Sequence, residues 1–139
     1  MYTIRFLEEG ERDLMIPFLI GLDPSLGESL LRERLAAMFA QGYKCVGVFD
    51  GKKLIGISGL WELVKYYIGK HVEPDNVYIL PGYQGEGVGK LLVEWILEYA
   101  RSIGCQGSEL NCYVSNVEAQ RFWEQHGYKV LGYHYQKRF

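Results

Sequence analysis

Val77-Tyr78-Ile79-Leu80-Pro81-Gly82-Tyr83-Gln84-Gly85-Glu86-Gly87-Val88-Gly89-Lys90 is the stretch on which the fold turns. It opens on an apolar run and passes through three glycines in five residues. It closes into a pattern where Leu91, Leu92, Trp95, Ile96, Tyr99 and Ile103 recur at the spacing of one buried helical face. The reading is strand, glycine-rich loop, helix. The first turn of a helix has backbone N–H groups without intrahelical partners, and the macrodipole adds partial positive charge there. Glycines remove the Cβ atoms that would hold a ligand away from those groups. The arrangement suits a phosphate or pyrophosphate.

Spacing separates the phosphate loops that compete for this stretch. A nucleotide-triphosphate loop needs G-x-x-x-x-G-K-[ST]. Here Leu91 follows Gly89-Lys90, and Gln84 stands five residues before Gly89. A dinucleotide fingerprint needs G-x-G-x-x-G. Gly85 and Gly87 begin one, but Lys90 stands where the third glycine belongs. Gln-x-x-Gly-x-Gly fits, as Gln84, Gly87 and Gly89.

With Pro81 upstream and Lys90-Leu91-Leu92 downstream, this stretch resembles motif A of the GCN5-related N-acetyltransferases (GNAT). A second resemblance follows in chain order. The family's helix N-x-x-A-x-x-[apolar]-[aromatic]-E-x-x-G-[FY] is matched by Asn116, Ala119, Phe122, Trp123, Glu124, Gly127 and Tyr128. The resemblance implies acetyl-coenzyme A as cosubstrate, with its pyrophosphate on Gln84, Gly85, Gly87, Val88, Gly89 and Lys90. It implies that the Val77–Leu80 strand splays from the next one. Ile79 and Leu80 would supply backbone contacts to the pantetheine arm, with the Leu80 N–H as oxyanion donor. Asn116 would bond the pantetheine arm or cap its helix, with Ser115 available as the cap instead. The usual aromatic near the coenzyme sulfur is a tyrosine; here it is Trp123. An indole N–H donates a hydrogen bond but is no practical proton donor. Trp123 would line the tunnel, leaving Tyr113 or Tyr128 for the acid role.

An alkylammonium must lose a proton before it attacks a thioester, since its pKa lies near ~10. Glu73 and Asp75 precede Ile79 at even spacing, so a regular strand puts them on its face. They are the candidate bases, with His71 a third. Trp61, Tyr66, Tyr67 and Tyr78 supply aromatic surface for an acceptor, a small-molecule or peptide amine. A non-catalytic module that senses acyl-coenzyme A through the same loop is the alternative.

The bulk numbers agree. The length of 139 residues suits one domain, 1–139, with one core. A net charge of −2 without a basic run disfavours nucleic acid as partner. No apolar run approaches a membrane span and no signal segment opens the chain, so the expected location is the cytoplasm. Cys45, Cys105 and Cys112 show no metal-ligand spacing, and no metal is expected. The protein is expected as a monomer or homodimer, with Tyr133–Arg138 as a strand able to pair across a dimer.

Periodicity and capping give the remaining elements. Tyr2–Leu7 is a half-buried strand. Leu14–Leu22 is a short helix disturbed by Pro17. Ser25 to Glu28 has the form of a capping box opening a longer helix that stops at Gly42. Tyr43–Phe49 and Lys53–Leu63 form a hairpin around Asp50-Gly51. Val72–Leu80 is a strand broken near Pro74. Glu109–Val114 is a strand, and Tyr128–Phe139 holds one or two closing strands. The order β-α-α-β-β-β-α-β-α-β(β) is a mixed, mostly antiparallel α/β sheet flanked by helices, the order of the GNAT fold.

Overall fold

A computed structural model describes residues 1–139. In chain order the elements are β1 (Tyr2–Phe6), α1 (Ile16–Leu22), α2 (Glu28–Ala40), β2 (Lys44–Asp50), β3 (Lys53–Lys65), β4 (Gly69–Ile79), α3 (Val88–Ser102), β5 (Gly107–Ser108) and α4 (Val117–Gln125). Short 3₁₀ turns span Glu9–Met15 and Pro81–Tyr83. The sheet runs β1-β2-β3-β4-β5. It is antiparallel through β4, with β5 parallel to β4. The mixed, mostly antiparallel α/β class is as the sequence suggests.

Both faces of the sheet are covered. On one, Tyr43, Cys45 and Ile57 pack against Met15, Ile16, Phe18 and Leu19 and against Leu31 and Leu35 of α2. On the other, Val46, Val48, Ile55, Leu60 and Val72 meet Val88, Leu92, Ile96 and Ala100 of α3. Each such aliphatic side chain contributes about 1.5–3 kcal/mol on full burial. Pro17 disturbs nothing, because α1 begins at Ile16 and proline falls in the first turn, where its missing donor has no partner to lose.

Several expectations are corrected. Ser25 does not cap α2; its hydroxyl turns to Asp23, and the helix starts at Glu28 with Gly27 as cap residue. Glu109–Val114 is not a strand: β5 is confined to Gly107–Ser108, and Glu109 N–H donates to the Val72 carbonyl (3.0 Å) just beyond it. No strand closes the chain after α4; Val130, Leu131, Tyr133 and Tyr135 stand exposed. A strand exists only alongside a ladder partner, and neither β4 nor the terminal segment pairs with residues 110–114.

β4 is continuous through Pro74, which pairs opposite Leu60. The reason lies in the pleat. The carbonyls of Lys70 and Val72 accept from Gln106 and Glu109, so even-numbered residues here turn their polar groups toward β5. The donor that Pro74 lacks would face the side β5 has already left.

A bulge then reverses the pleat. Ile57 pairs with Tyr78 but Gly59 with Asp75, so Asn76 and Val77 oppose the single residue Ser58. Asn76 takes the left-handed conformation, φ +53°. The even spacing of Glu73, Asp75 and Ile79 is therefore misleading. Glu73 and Asp75 share the α1/α2 face with Trp61, while Ile79 packs on the α3 side.

Candidate active site

The glycine loop is anchored before it reaches α3. Tyr83 O–H donates to Asp50 at the tip of the β2–β3 hairpin (2.9 Å), and Gln84 Nε2 donates to the Ile79 carbonyl (2.8 Å). Gly85 and Gly87 both sit at left-handed φ, +79° and +81°. A Cβ on either would point into open space, so conformation rather than crowding selects glycine there. Gly87 caps α3, and Leu91 N–H is bonded back to its carbonyl (3.1 Å). The N–H groups of Val88, Gly89 and Lys90 precede that bond and open toward a cleft of about 400 Å³. The cleft is closed on its far side by Phe122, Gln125 and His126 of α4. Gly89 is small for a different reason: a Cβ there would lie 3.2 Å from the Phe122 ring.

Beside the cleft, the edge of β4 is bare. The last β5 pair is Val72 with Ser108, and residues from Glu73 onward have no strand partner on that side. Leu80 N–H is not available there, because it donates to the Ile55 carbonyl of β3 (2.9 Å). The expectation that it serves as oxyanion donor is corrected by this bond. Alternation turns the Ile79 N–H, and on the same pleat that of Val77, to the bare edge. The Ile79 carbonyl already faces that way, where Gln84 reaches it.

The α1/α2 face of β4 carries a polar network. His71 is fully buried, with Nδ1 3.0 Å from the Gly69 carbonyl and Nε2 2.8 Å from Glu73 Oε2. A carbonyl only accepts, so Nδ1 donates and the ring orientation is fixed. Lys65 Nζ lies 3.0 Å from Glu73 and 3.5 Å from Glu109, and Tyr67 O–H donates to Glu109 (2.7 Å). Burial pushes the Glu73 carboxyl up, but hydrogen bonds from His71 and Lys65 outweigh it and leave Glu73 below its ordinary range. His71, Glu73 and Glu109 bring ligand atoms within 4.8 Å of one another, as a metal site would. The Lys65 ammonium bridges the two carboxylates of this group. Asp75 Oδ2 accepts from Trp61 Nε1 (3.2 Å).

A sequence model described as the acetyltransferase (GNAT) family matches residues 10–128. The chain belongs to the GNAT acetyltransferase family. Among GNAT relatives, the thialysine N-epsilon-acetyltransferase of Mus musculus is 26% identical over 86 residues, 62% of this chain and 48% of that protein. The aminoalkylphosphonate N-acetyltransferase of Salmonella typhimurium is 31% identical over 65 residues, 47% of this chain and 42% of that one. The chain thus spans less than half the length of these relatives. In fold it resembles the aminoglycoside N-acetyltransferase AAC(6')-Iy in complex with CoA, at TM-score 0.85 and 15% identity, over 100% of this chain and 96% of that chain.

Within this GNAT chain the cleft gathers Ile79, Gln84, Gly85, Gly87, Val88, Gly89 and Lys90. Leu80, Asn116 and Trp123 are not among its walls. Asn116, rather than Ser115, caps α4: its Oδ1 accepts from Ala119 N–H (3.1 Å), which leaves its amide hydrogens for a ligand. Trp123 is buried, its ring edge-on against Tyr128 at 5.2 Å between centroids. Tyr113 is 84% exposed, away from the cleft. Tyr128 donates its hydroxyl to Ser108 (2.7 Å). Phe122, Gln125 and His126 were missed; their i, i+3, i+4 spacing marks one helix face and is the signal that finds them.

No helix is long and apolar enough to cross a membrane.

Proposed function

We propose that this chain is an N-acetyltransferase that carries the acetyl group of acetyl-coenzyme A to a primary amine of a small molecule or peptide, by direct attack in a ternary complex. One juxtaposition carries the reading: a glycine-opened helix N-terminus and a bare β4 edge adjoin one cleft, with an ionised carboxylate network on the other face of that strand.

The pyrophosphate would lie on the amides of Val88, Gly89 and Lys90, flanked by Lys90 and His126. The pantetheine amides would pair with the Ile79 edge, completing a ladder that β5 abandons. The thioester oxygen would face the outward N–H groups of Val77 and Ile79, which lie next to Tyr78 and Leu80, the residues that β3 holds. The amine would arrive on the α1/α2 face and pass its proton through water to Glu73. Its lone pair attacks the thioester carbon, and the C–S bond breaks as the carbonyl re-forms. The thiolate needs little help to leave, since a thiol pKa is ~8.5. The low net charge supports a reading without nucleic acid. We place the activity in the cytoplasm, on one domain acting as monomer or homodimer.

The test adds acetyl-coenzyme A to the purified protein with polyamines, aminoglycosides, arylalkylamines, amino acids and basic peptides, and follows free thiol against a no-acceptor control. Acceptor-dependent release supports the transferase and names the acceptor class. Coenzyme binding without release for any acceptor favours the sensor. Neither binding nor release overturns the reading of Gln84 to Lys90.

A further inference from the structure

Tyr43, the residue before β2, is 2% exposed, and none of the chemistry above uses it. Its ring lies across Gly59 of β3, so closely that a Cβ on Gly59 would overlap the ring and hydroxyl. Having crossed β3, the hydroxyl accepts from Asn76 Nδ2 on β4 (3.0 Å). Phe39 and Trp61 hold the ring at 5.3 and 4.9 Å. Trp61 in turn donates to Asp75.

These contacts converge on one strained point. Asn76 is the only non-glycine residue with positive φ, a conformation that L side chains enter at a cost. It is also the bulge residue. Before it, even-numbered residues of β4 face outward; after it, Ile79 does. Without the bulge, the N–H groups of Val77 and Ile79 would turn into the β3 ladder and Leu80 would face the cleft. Gly59 leaves room for the ring that reaches this bulge, and Asn tolerates the left-handed turn best among residues able to bond that ring.

We infer that Tyr43 is a positioning residue for acetyl transfer: through Asn76 it holds the β4 bulge that aims the Val77 and Ile79 N–H groups at the thioester. The inference rests on the transferase reading, and the experiment separates the two. Tyr43→Phe removes only the hydroxyl. It is expected to lower kcat about tenfold, because misplaced donors cost transition-state stabilisation, while KM for acetyl-coenzyme A stays within about twofold, since the loop is untouched. Asn76→Gly adopts the same φ unaided. It also removes the amide that the hydroxyl bonds, so Tyr43→Phe is expected to be nearly silent when added to it. Amide chemical shifts of Val77 and Ile79 in the free protein should move in Tyr43→Phe and should not move further when Tyr43→Phe is added to Asn76→Gly. A merely structural tyrosine would lower Tm and leave kcat and those shifts alone; that outcome, or an equal loss when Tyr43→Phe is added to Asn76→Gly, overturns the inference. If the wild type neither binds coenzyme nor turns over any amine, the transferase reading fails, and unmoved amide shifts would independently reject the control of the bulge by Tyr43.

Discussion

Gly89 on α3 and Phe122 on α4 meet so closely that a Cβ on the glycine would sit 3.2 Å from the ring. The last glycine of the motif thus joins two helices, whereas Gly85 and Gly87 shape the loop through left-handed φ. The wall of the cleft formed by α4 is positioned by the same motif that supplies the amides.

Gly87→Asp is expected to abolish coenzyme A binding. It forces a side chain into left-handed φ at +81° and brings negative charge to the helix N-terminus that would hold pyrophosphate. Calorimetry should show at least about a hundredfold loss in affinity with the circular dichroism spectrum retained, an estimate from losing ~3 kcal/mol of charge-assisted bonding. Normal binding by a folded variant would show that the loop is not the site.

Ile79→Pro and Leu80→Pro should behave oppositely. The first deletes an N–H that faces the bare edge; the second deletes one bonded to Ile55. Ile79→Pro is expected to stay folded and lose about 10²–10³ in kcat, the range for an oxyanion donor. Leu80→Pro is expected to lose stability first, since it breaks a ladder bond. Comparing melting curves with initial rates separates them.

Glu73 is held ionised below the ordinary carboxylate range by His71 and Lys65. Its titration therefore lies well below neutral pH. The rate with an alkylamine acceptor should rise with pH toward the amine's own pKa near ~10, with no step from Glu73 around neutrality. Glu73→Gln should lower kcat about a hundredfold without changing coenzyme affinity. An unaffected kcat would remove Glu73 from the mechanism.

Trp123→Phe should leave kcat nearly unchanged, because the indole packs on Tyr128 and does not wall the cleft. The change should appear instead as a stability loss of about 1–3 kcal/mol, read as a lower denaturation midpoint. Phe122→Ala, one residue away, should raise KM for acetyl-coenzyme A.

Acid stability should depend on Glu11. Its carboxyl is lowered from 4.5 to about 2, first by hydrogen bonds from Arg5, then by the Glu8 backbone N–H. A depressed carboxyl stabilises the fold above its unfolded value, and that contribution is lost as pH falls from 4.5 to about 2. Glu11→Gln should flatten the melting-temperature profile over that window and leave neutral-pH activity alone.

What the sequence makes legible is local. The loop of Gln84 to Lys90 could be read because glycine spacing and helix periodicity are properties of adjacent residues. The bulge could not, because it is a register relation between β3 and β4, and nothing in Asp75-Asn76-Val77 announces that Ser58 will face two residues at once. That one step moved Glu73 and Asp75 to the face opposite Ile79 and exchanged Leu80 for Ile79 as the outward donor. On α4 the neighbouring aromatics Phe122 and Trp123 differ only by about 100° of helix, and which one reaches the cleft is decided by packing against Gly89 and Tyr128. The strands expected at Glu109–Val114 and Tyr128–Phe139 have fitting composition, but a strand is conferred by its neighbour.

The single extra residue at Asn76 divides the labour of β4 between two surfaces that can change independently. On the proposed reading, substitutions around Glu73, Asp75 and Trp61 would alter what is presented to an incoming amine while the coenzyme edge beyond the bulge kept its register. A lineage could drift from one acceptor to another by rewriting the first surface alone, whereas deleting Asn76 would exchange the two at a stroke and leave neither usable.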